Sequence, residues 1–240
     1  MIFLAVSAFI VFRGVNKGIE STSKIIMPIL LVMILGIAIF SLTLKNTNDA
    51  GEVVTGLQGF KIYIVPNFEG LTIGKLFTVL IDALGQLFFS LSVAMGIMIT
   101  YGSYVKDDAN LGKSINQIEI FDTVVAFLAG AMIIPAVYAF MGTDGMSSGP
   151  SLMFVSLPKV FAAMGVAGNI IGTIFFAMVL FAAITSAVSV MEAVVSCIMD
   201  AFHTSRTKAG TIEGIFALIV GIIVSYTHLR AHETGAYLVC

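Results

Sequence analysis

The chain has 240 residues, of which 58% are hydrophobic and only 11% charged, with a formal net charge of −2 and a mean hydropathy of +1.05. Soluble domains carry about 25% charged residues, so the composition excludes an ordinary soluble domain and indicates a polytopic membrane protein. No basic or acidic block is present, which argues against nucleic acid as a partner. The two cysteines, Cys197 and Cys240, lack CxxC or metal spacing and indicate neither a disulfide framework nor redox chemistry.

A spanning helix needs roughly 20 apolar residues. On that measure spans are predicted at about 1–13 (short), 25–44, 76–104, 117–141, 168–200 and 211–224 (short). Residues 1–12 are apolar from the first position, lack a basic leading region and run into Arg13 without a small-residue cleavage site. They read as a spanning helix cut part-way, not as a cleavable signal peptide. The loop 14–24 holds Lys17 and Lys24 next to Arg13, whereas 45–75 is longer and carries acidic residues. Positive-inside asymmetry places 14–24 in the cytoplasm. Alternation puts 105–116 and 201–210 there too, with Lys106, Lys113, Arg206 and Lys208.

On the opposite side, 142–165 is too apolar in its second half for an ordinary connector and too short to span, with Pro150 and Pro158 inside it. It reads either as a re-entrant or capping helical hairpin or as a surface amphipathic helix. After Val224 the character changes to SYTHLRAHETGAYLVC. This tail, 225–240, is expected to stop the last helix short and to be foreign to the native fold, and no metal site is assigned to its histidines.

One stretch stands apart from the apolar runs. Gly85–Gly96, GQLFFSLSVAMG, sets Ser90 and Ser92 between two glycines in the middle of a span. Two readings fit. The serines back-bond to carbonyls one turn earlier in an unbroken helix, or the helix breaks and the released backbone groups line a cavity, because lipid cannot satisfy them.

Four acids fall within or at the margins of the spans: Asp82, Glu119, Asp122 and Glu192. An ionisable group at a helix centre costs about 2.5–3.5 kcal/mol on insertion scales, so each needs a partner. Glu119 is within a turn of a loop and can reach water, and Asp82 lies near a helix end. Asp122 is deeper and suits a buried cation ligand or proton carrier. Glu192 stands in a helix rich in small residues, where an interhelix hydrogen bond is expected. The run Phe181–Ala193, FAAITSAVSVMEA, places Ala182, Thr185, Ser186 and Ser189 on one helical face. Such a face either lets helices approach closely or offers hydroxyl and carbonyl oxygens to a hard monovalent cation. No Ser/His pair, HExxH or paired catalytic carboxylates occur in the spans, so an enzyme is not expected.

Taken together, RGVNKGIE (13–20), GQLFFSLSVAMGIMITYGSYV (85–105), SGPSLMFVSLPKVF (148–161) and FAAITSAVSVM (181–191) resemble the neurotransmitter:sodium symporter family, in particular its bacterial amino-acid transporters. The resemblance covers about residues 1–224, the transporter domain, and matches the family's fourth to ninth transmembrane helices. It implies an all-α polytopic bundle, part of the leucine-transporter fold, with a helix broken at about 90–95. In that fold, broken helices meet substrate and sodium near the bilayer midplane.

The same resemblance implies two sodium sites and leaves chloride open. Ser90 and Asp122 match side-chain ligands of the first sodium, and Ala182, through its carbonyl, Thr185 and Ser186 match those of the second. A carboxylate at Asp122, where relatives commonly have Asn, would supply negative charge without bound chloride. Phe89, Ser92, Val93 and Met95 would line the substrate pocket, with Ser186 and Val190 on the facing helix. Ala94 and Met95 stand where Gly and an aromatic are frequent, so pocket size and preferred side chain do not carry over from a relative. In the family, a broken first helix that this chain lacks adds ligands to both sodium sites.

The expected function is sodium-coupled symport of an amino acid or related small molecule across a cell membrane of bacterial inner-membrane type, by alternating access. The alternative is a non-transporting or channel-like membrane subunit whose polar helix faces serve packing alone. Expected partners are the substrate and the lipid bilayer, and a homo-oligomer is left open.

Overall fold

The structure is a computed structural model and describes residues 2–47, 51–68, 70–146 and 152–237. Among these, the helices are α1 (Ile2–Phe12), α2 (Ser21–Thr43), α3 (Gly56–Ile64), α4 (Ile73–Ser90), α5 (Ile97–Ser103), α6 (Leu111–Met146), α7 (Leu157–Ala163), α8 (Gly165–Phe202) and α9 (Arg206–Tyr237). Two short strands, β1 (Lys45–Thr47) and β2 (Val53–Thr55), pair antiparallel with Asn46 opposite Val54. Among the described residues, five helical stretches are long and apolar enough to cross a membrane: Lys17–Thr43, Ile73–Ser90, Leu111–Thr143, Gly165–Phe202 and Arg206–Val224. The protein is a multi-pass, helical membrane protein.

Helices α4 and α6 start three and six residues earlier than apolar counting predicts, because polar caps and not hydrophobicity fix them. Thr72 accepts from the Lys75 amide at 3.3 Å and so opens α4 at Ile73. Asn110 accepts from the Lys113 amide at 3.1 Å and opens α6 at Leu111. Such caps satisfy amides that have no partner within the helix. The loop 14–24 is itself helical: a six-residue π-turn, Val15–Glu20, leads into α2, and Glu20 pairs with Lys24 at 2.7 Å across the junction. At the far end α9 continues to Tyr237, beyond the stop that the change of character after Val224 predicts.

The chain divides into two compact units. The first comprises residues 1–25, 92–105 and 183–240. Its apolar core joins Ile10 and Val11 of α1 to Ile184, Val188, Met191 and Val195 of α8 and Ala209 of α9. The α8 residues recur at spacings of three and four, the stripe that a helix turns toward a core.

The second unit comprises 26–91 and 106–182. Its core joins Leu30, Ile34 and Ile37 of α2 to Met132 and Val137 of α6, Leu157 and Phe161 of α7, and Phe175 and Met178 of α8. The stretch 45–75, a plain loop by sequence, folds into the β1–β2 hairpin and α3. The latter opens with a capping box in which Thr55 and Gln58 satisfy each other's amides at 3.3 and 2.9 Å. This helix docks on α6 at two glycines. A Cβ on Gly59 would stand 2.9 Å from Pro135 Cα, and one on Gly130 would stand 2.3 Å from the Tyr63 ring. Phe60, Tyr63 and Phe127 stack at the junction with centroids 5.6–6.4 Å apart.

In the stretch 142–165, the backbone leaves helical geometry at Gly142 (φ 64°, ψ −158°), and residues 147–151 lie outside the described set. The second half, a π-turn at Leu152–Ser156 followed by α7, buries Leu157, Val160 and Phe161. It is packed into the second unit against α6 and α8, not laid on a surface, and Phe161 meets Phe175 with centroids 5.6 Å apart.

Candidate functional site

The span predicted at 76–104 is broken in its middle. Helix α4 ends at Ser90, where the Leu91 amide still reaches the Leu87 carbonyl at 3.0 Å, and α5 begins at Ile97. Between them Ser92, Ala94 and Gly96 take positive φ values of 55°, 68° and 75°. Alternate left-handed residues cannot continue a right-handed helix. Two of the three are not glycine, and each such residue stores on the order of 1–3 kcal/mol of strain that the surroundings must hold. The unbroken-helix reading is therefore overturned, and the released backbone groups are available to a ligand.

The Ser90 hydroxyl does not turn back on its own helix. It donates to Asp122 Oδ1 of α6 at 2.7 Å, across 32 residues of sequence. Ser90 is exposed and Asp122 half-buried, so the two oxygens face each other where a third group can still reach them. The structure thus brings together the two residues expected at the first sodium site. Asp82 and Glu119, the two marginal acids, are both exposed.

Ala182, Thr185 and Ser186 lie on α8, in one helical turn on the side that continues through Ser189. Ser186 and Ala182 are exposed and Thr185 is half-buried. Among the expected substrate-lining residues, Phe89 (70% exposed), Val93, Met95 and Val190 are open, and Ser92 is half-buried in the break. Phe89 belongs to the second unit and the others to the first. The cavities in the second unit are lined by different residues: a small one by Ser41, Met132, Phe161 and Phe175, and an open one of about 450 Å³ by Asn46, Glu52, Tyr138 and Thr143.

The first unit also contains a polar cluster that sequence reasoning catches only in part. Glu192 is wholly buried and is held from two directions. The Tyr104 hydroxyl donates to its Oε1 at 2.7 Å, and the Arg206 guanidinium pairs with its Oε2. Arg206 Nε in turn donates to the Val11 carbonyl at 3.2 Å. The interhelix hydrogen bond expected of Glu192 is present, and the arginine neutralises a charge that could not otherwise be buried. One turn earlier on both helices, the Tyr101 hydroxyl donates to Ser189 Oγ at 2.8 Å. Sequence reasoning misses Tyr101, Tyr104 and Arg206, the last counting there only as a loop charge. The available signal is a matched spacing of three, Tyr101/Tyr104 at the end of one helix and Ser189/Glu192 on another. Among the described residues, no group of three or more His, Cys, Asp or Glu side chains could hold a metal ion, so a cation here would rest on hydroxyl, carbonyl and single-carboxylate oxygens.

The family model described as the sodium:neurotransmitter symporter family matches residues 1–240. The chain belongs to this family. It is 35% identical over 226 residues to an uncharacterized sodium-dependent transporter of Bacillus subtilis, covering 92% of this chain and 46% of that protein. It is 32% identical over 243 residues to another from Methanocaldococcus jannaschii, covering 96% and 47%. A sodium- and chloride-dependent taurine transporter of Rattus norvegicus is 26% identical over 237 residues, covering 95% and 36%. Among solved structures, the crystal structure of MhsT in complex with L-phenylalanine is similar with a TM-score of 0.74 and 37% identity, covering 92% of this chain and 47% of that one. The symporter-family chain thus spans about half the length of the relatives it matches. The helical transporter fold expected from the sequence is the one observed.

Proposed function

We propose that this chain carries the central part of a secondary transporter that moves an amino acid together with sodium by alternating access. Sodium is cargo here, and two sites hold it. Ser90 and Asp122 contribute to the first, where the carboxylate supplies the negative charge and makes bound chloride unnecessary. The Ala182 carbonyl with the Thr185 and Ser186 hydroxyls contributes to the second. Phe89, Ser92, Val93, Met95, Ser186 and Val190 contact the substrate, and the broken backbone at 91–96 offers it amides and carbonyls. Sodium binding favours the substrate-competent outward state, and its release inward resets the cycle.

The observation that carries this reading is the Ser90–Asp122 hydrogen bond at the broken end of α4. A carboxylate inside a spanning helix is tolerated with a cation partner, and here it faces the hydroxyl that a strained, interrupted helix presents. The amino-acid class is supported by the solved relative bound to L-phenylalanine. The test is uptake of labelled amino acids into proteoliposomes by a transporter of full family length that contains this chain. Uptake that follows an inward sodium gradient is expected. No uptake at any sodium gradient would instead favour a non-transporting subunit whose polar faces only pack.

A further inference from the structure

The second half of the broken helix is laced to α8 by two rungs at the same spacing, Tyr101 to Ser189 and Tyr104 to Glu192. The lower rung anchors a buried carboxylate. The upper rung ends on a hydroxyl that is itself a donor: Ser189 Oγ passes its hydrogen to the Thr185 carbonyl at 3.0 Å. A serine hydroxyl owns one hydrogen and two lone pairs. Because Tyr101 donates to Ser189, the hydrogen of Ser189 is left for Thr185, and the chain of donation runs Tyr101 to Ser189 to the backbone of Thr185. All three residues lie in the first unit. A serine bonded to the carbonyl four residues back also bends its helix slightly, so this bond acts on the turn that carries the Thr185 and Ser186 hydroxyls.

We infer that Tyr101 and Ser189 are positioning residues for the Thr185–Ser186 turn, so that cation binding at that turn and the placement of α5 are linked through one hydrogen-bonded relay. The inference rests on the reading of Thr185 and Ser186 as sodium ligands. Linkage in binding free energy is reciprocal. Anything that frees α5 from Ser189 lowers sodium affinity, and bound sodium holds α5 to α8.

The test is a sodium titration of substrate binding in a transporter of full family length, comparing Tyr101→Phe, Ser189→Ala, the double variant, Ser189→Thr and, as a reference, Thr185→Ala. Tyr101→Phe removes one oxygen and keeps the ring. It should raise the sodium midpoint by about two- to tenfold, what one net hydrogen bond is worth, while substrate affinity at saturating sodium stays unchanged and confirms the fold. Ser189→Ala should match it. The double variant should be no worse than the larger single effect, because both break the same relay, and Ser189→Thr should restore the midpoint. A midpoint that moves in Thr185→Ala but in neither relay variant overturns the inference and leaves the sodium site standing. Relay effects that multiply in the double variant also overturn it. A midpoint unmoved in all of these, Thr185→Ala included, removes the second sodium site and the inference together.

Discussion

The two halves of the broken helix are held in opposite ways. In α4 none of eighteen residues is buried, and its polar end reaches another helix through the hydrogen bond of Ser90 with Asp122. In α5 only seven residues are helical, yet Ile97 and Thr100 are buried. Tyr101, and Tyr104 just past its end, are both bonded to α8. The difference follows from length. A helix of seven residues is far below what propensity can sustain alone, so α5 exists because tertiary bonds hold it. The longer α4 starts from a Thr72 cap and holds its polar end by the Ser90–Asp122 bond, the less committed side. A ligand group must be free to exchange its protein partner for a cation, and a structural group must not. On the proposed reading of Ser90 and Asp122 as sodium ligands, the exchangeable group ends one side of the break and the tyrosines tie down the other.

The comparison can be broken most forcefully at the committed side. Arg206→Ala would leave Glu192 charged and wholly buried with only Tyr104 beside it, and loss of one partner of such a pair costs about 3–5 kcal/mol. The expected outcome is a large drop in the thermal midpoint of the detergent-solubilised protein, and an unchanged midpoint would show that Glu192 needs no counter-charge. At the less committed side the expectation reverses. Asp122→Asn should leave stability nearly intact, because the Asn amide oxygen can still accept from the Ser90 hydroxyl. In a transporter of full family length it should raise the sodium concentration for half-maximal uptake by more than about tenfold, ~1.4 kcal/mol, or make uptake respond to chloride. If sodium and chloride responses both stayed as they were, Asp122 would not be a ligand.

Replacing Thr185 and Ser186 together by Ala keeps their helix face small, so a packing role forecasts normal binding. A ligand role forecasts a sodium midpoint about tenfold higher, with substrate affinity weakened chiefly where sodium is limiting. Titrating substrate binding against sodium separates the two. The smallest effects sharpen the contrast within the break itself. Gly96→Ala, at φ 75°, should cost on the order of 1 kcal/mol through backbone strain. Gly85→Ala meets nothing within 4 Å of the added Cβ, and should be neutral or stabilise α4 by up to about 1 kcal/mol. Equal melting temperatures for the two variants would contradict a strained break.

Much of the bundle is legible in the sequence because a spanning helix announces itself by a long apolar run, and the Gly85–Gly96 interruption stands out against that background. The pairing of Ser90 with Asp122 is reached through family resemblance, since nothing in a spacing of 32 residues brings two positions together. What stays hidden has two causes. Helix starts depend on caps such as Asn110, whose effect is local and polar and does not register in a hydropathy count. Tyr101, Tyr104 and Arg206 act through long-range hydrogen bonds, and a tyrosine bound to a buried carboxylate looks, in one dimension, like any aromatic in an apolar helix. The hairpin at Lys45–Thr55 escapes for a related reason: three-residue strands are too short to show alternation.

Docking of α3 on α6 has a mechanical consequence. At Gly59 the α3 backbone closes on that of Pro135, at Gly130 the Tyr63 ring closes on the α6 backbone, and Tyr63 reaches across to the Phe127 carbonyl at 3.4 Å. Contacts this close are stiff, because close-packed interiors resist compression and transmit strain. The seats at Gly130 and Pro135 lie on the same helix as Asp122, two to four turns along it, so α3 is an outrigger packed on the helix that carries Asp122. A rigid-body rotation of α6 that altered the reach between Ser90 and Asp122 would carry α3 with it. There it becomes a sideways sweep that distance spectroscopy can read from a label on the exposed Leu57.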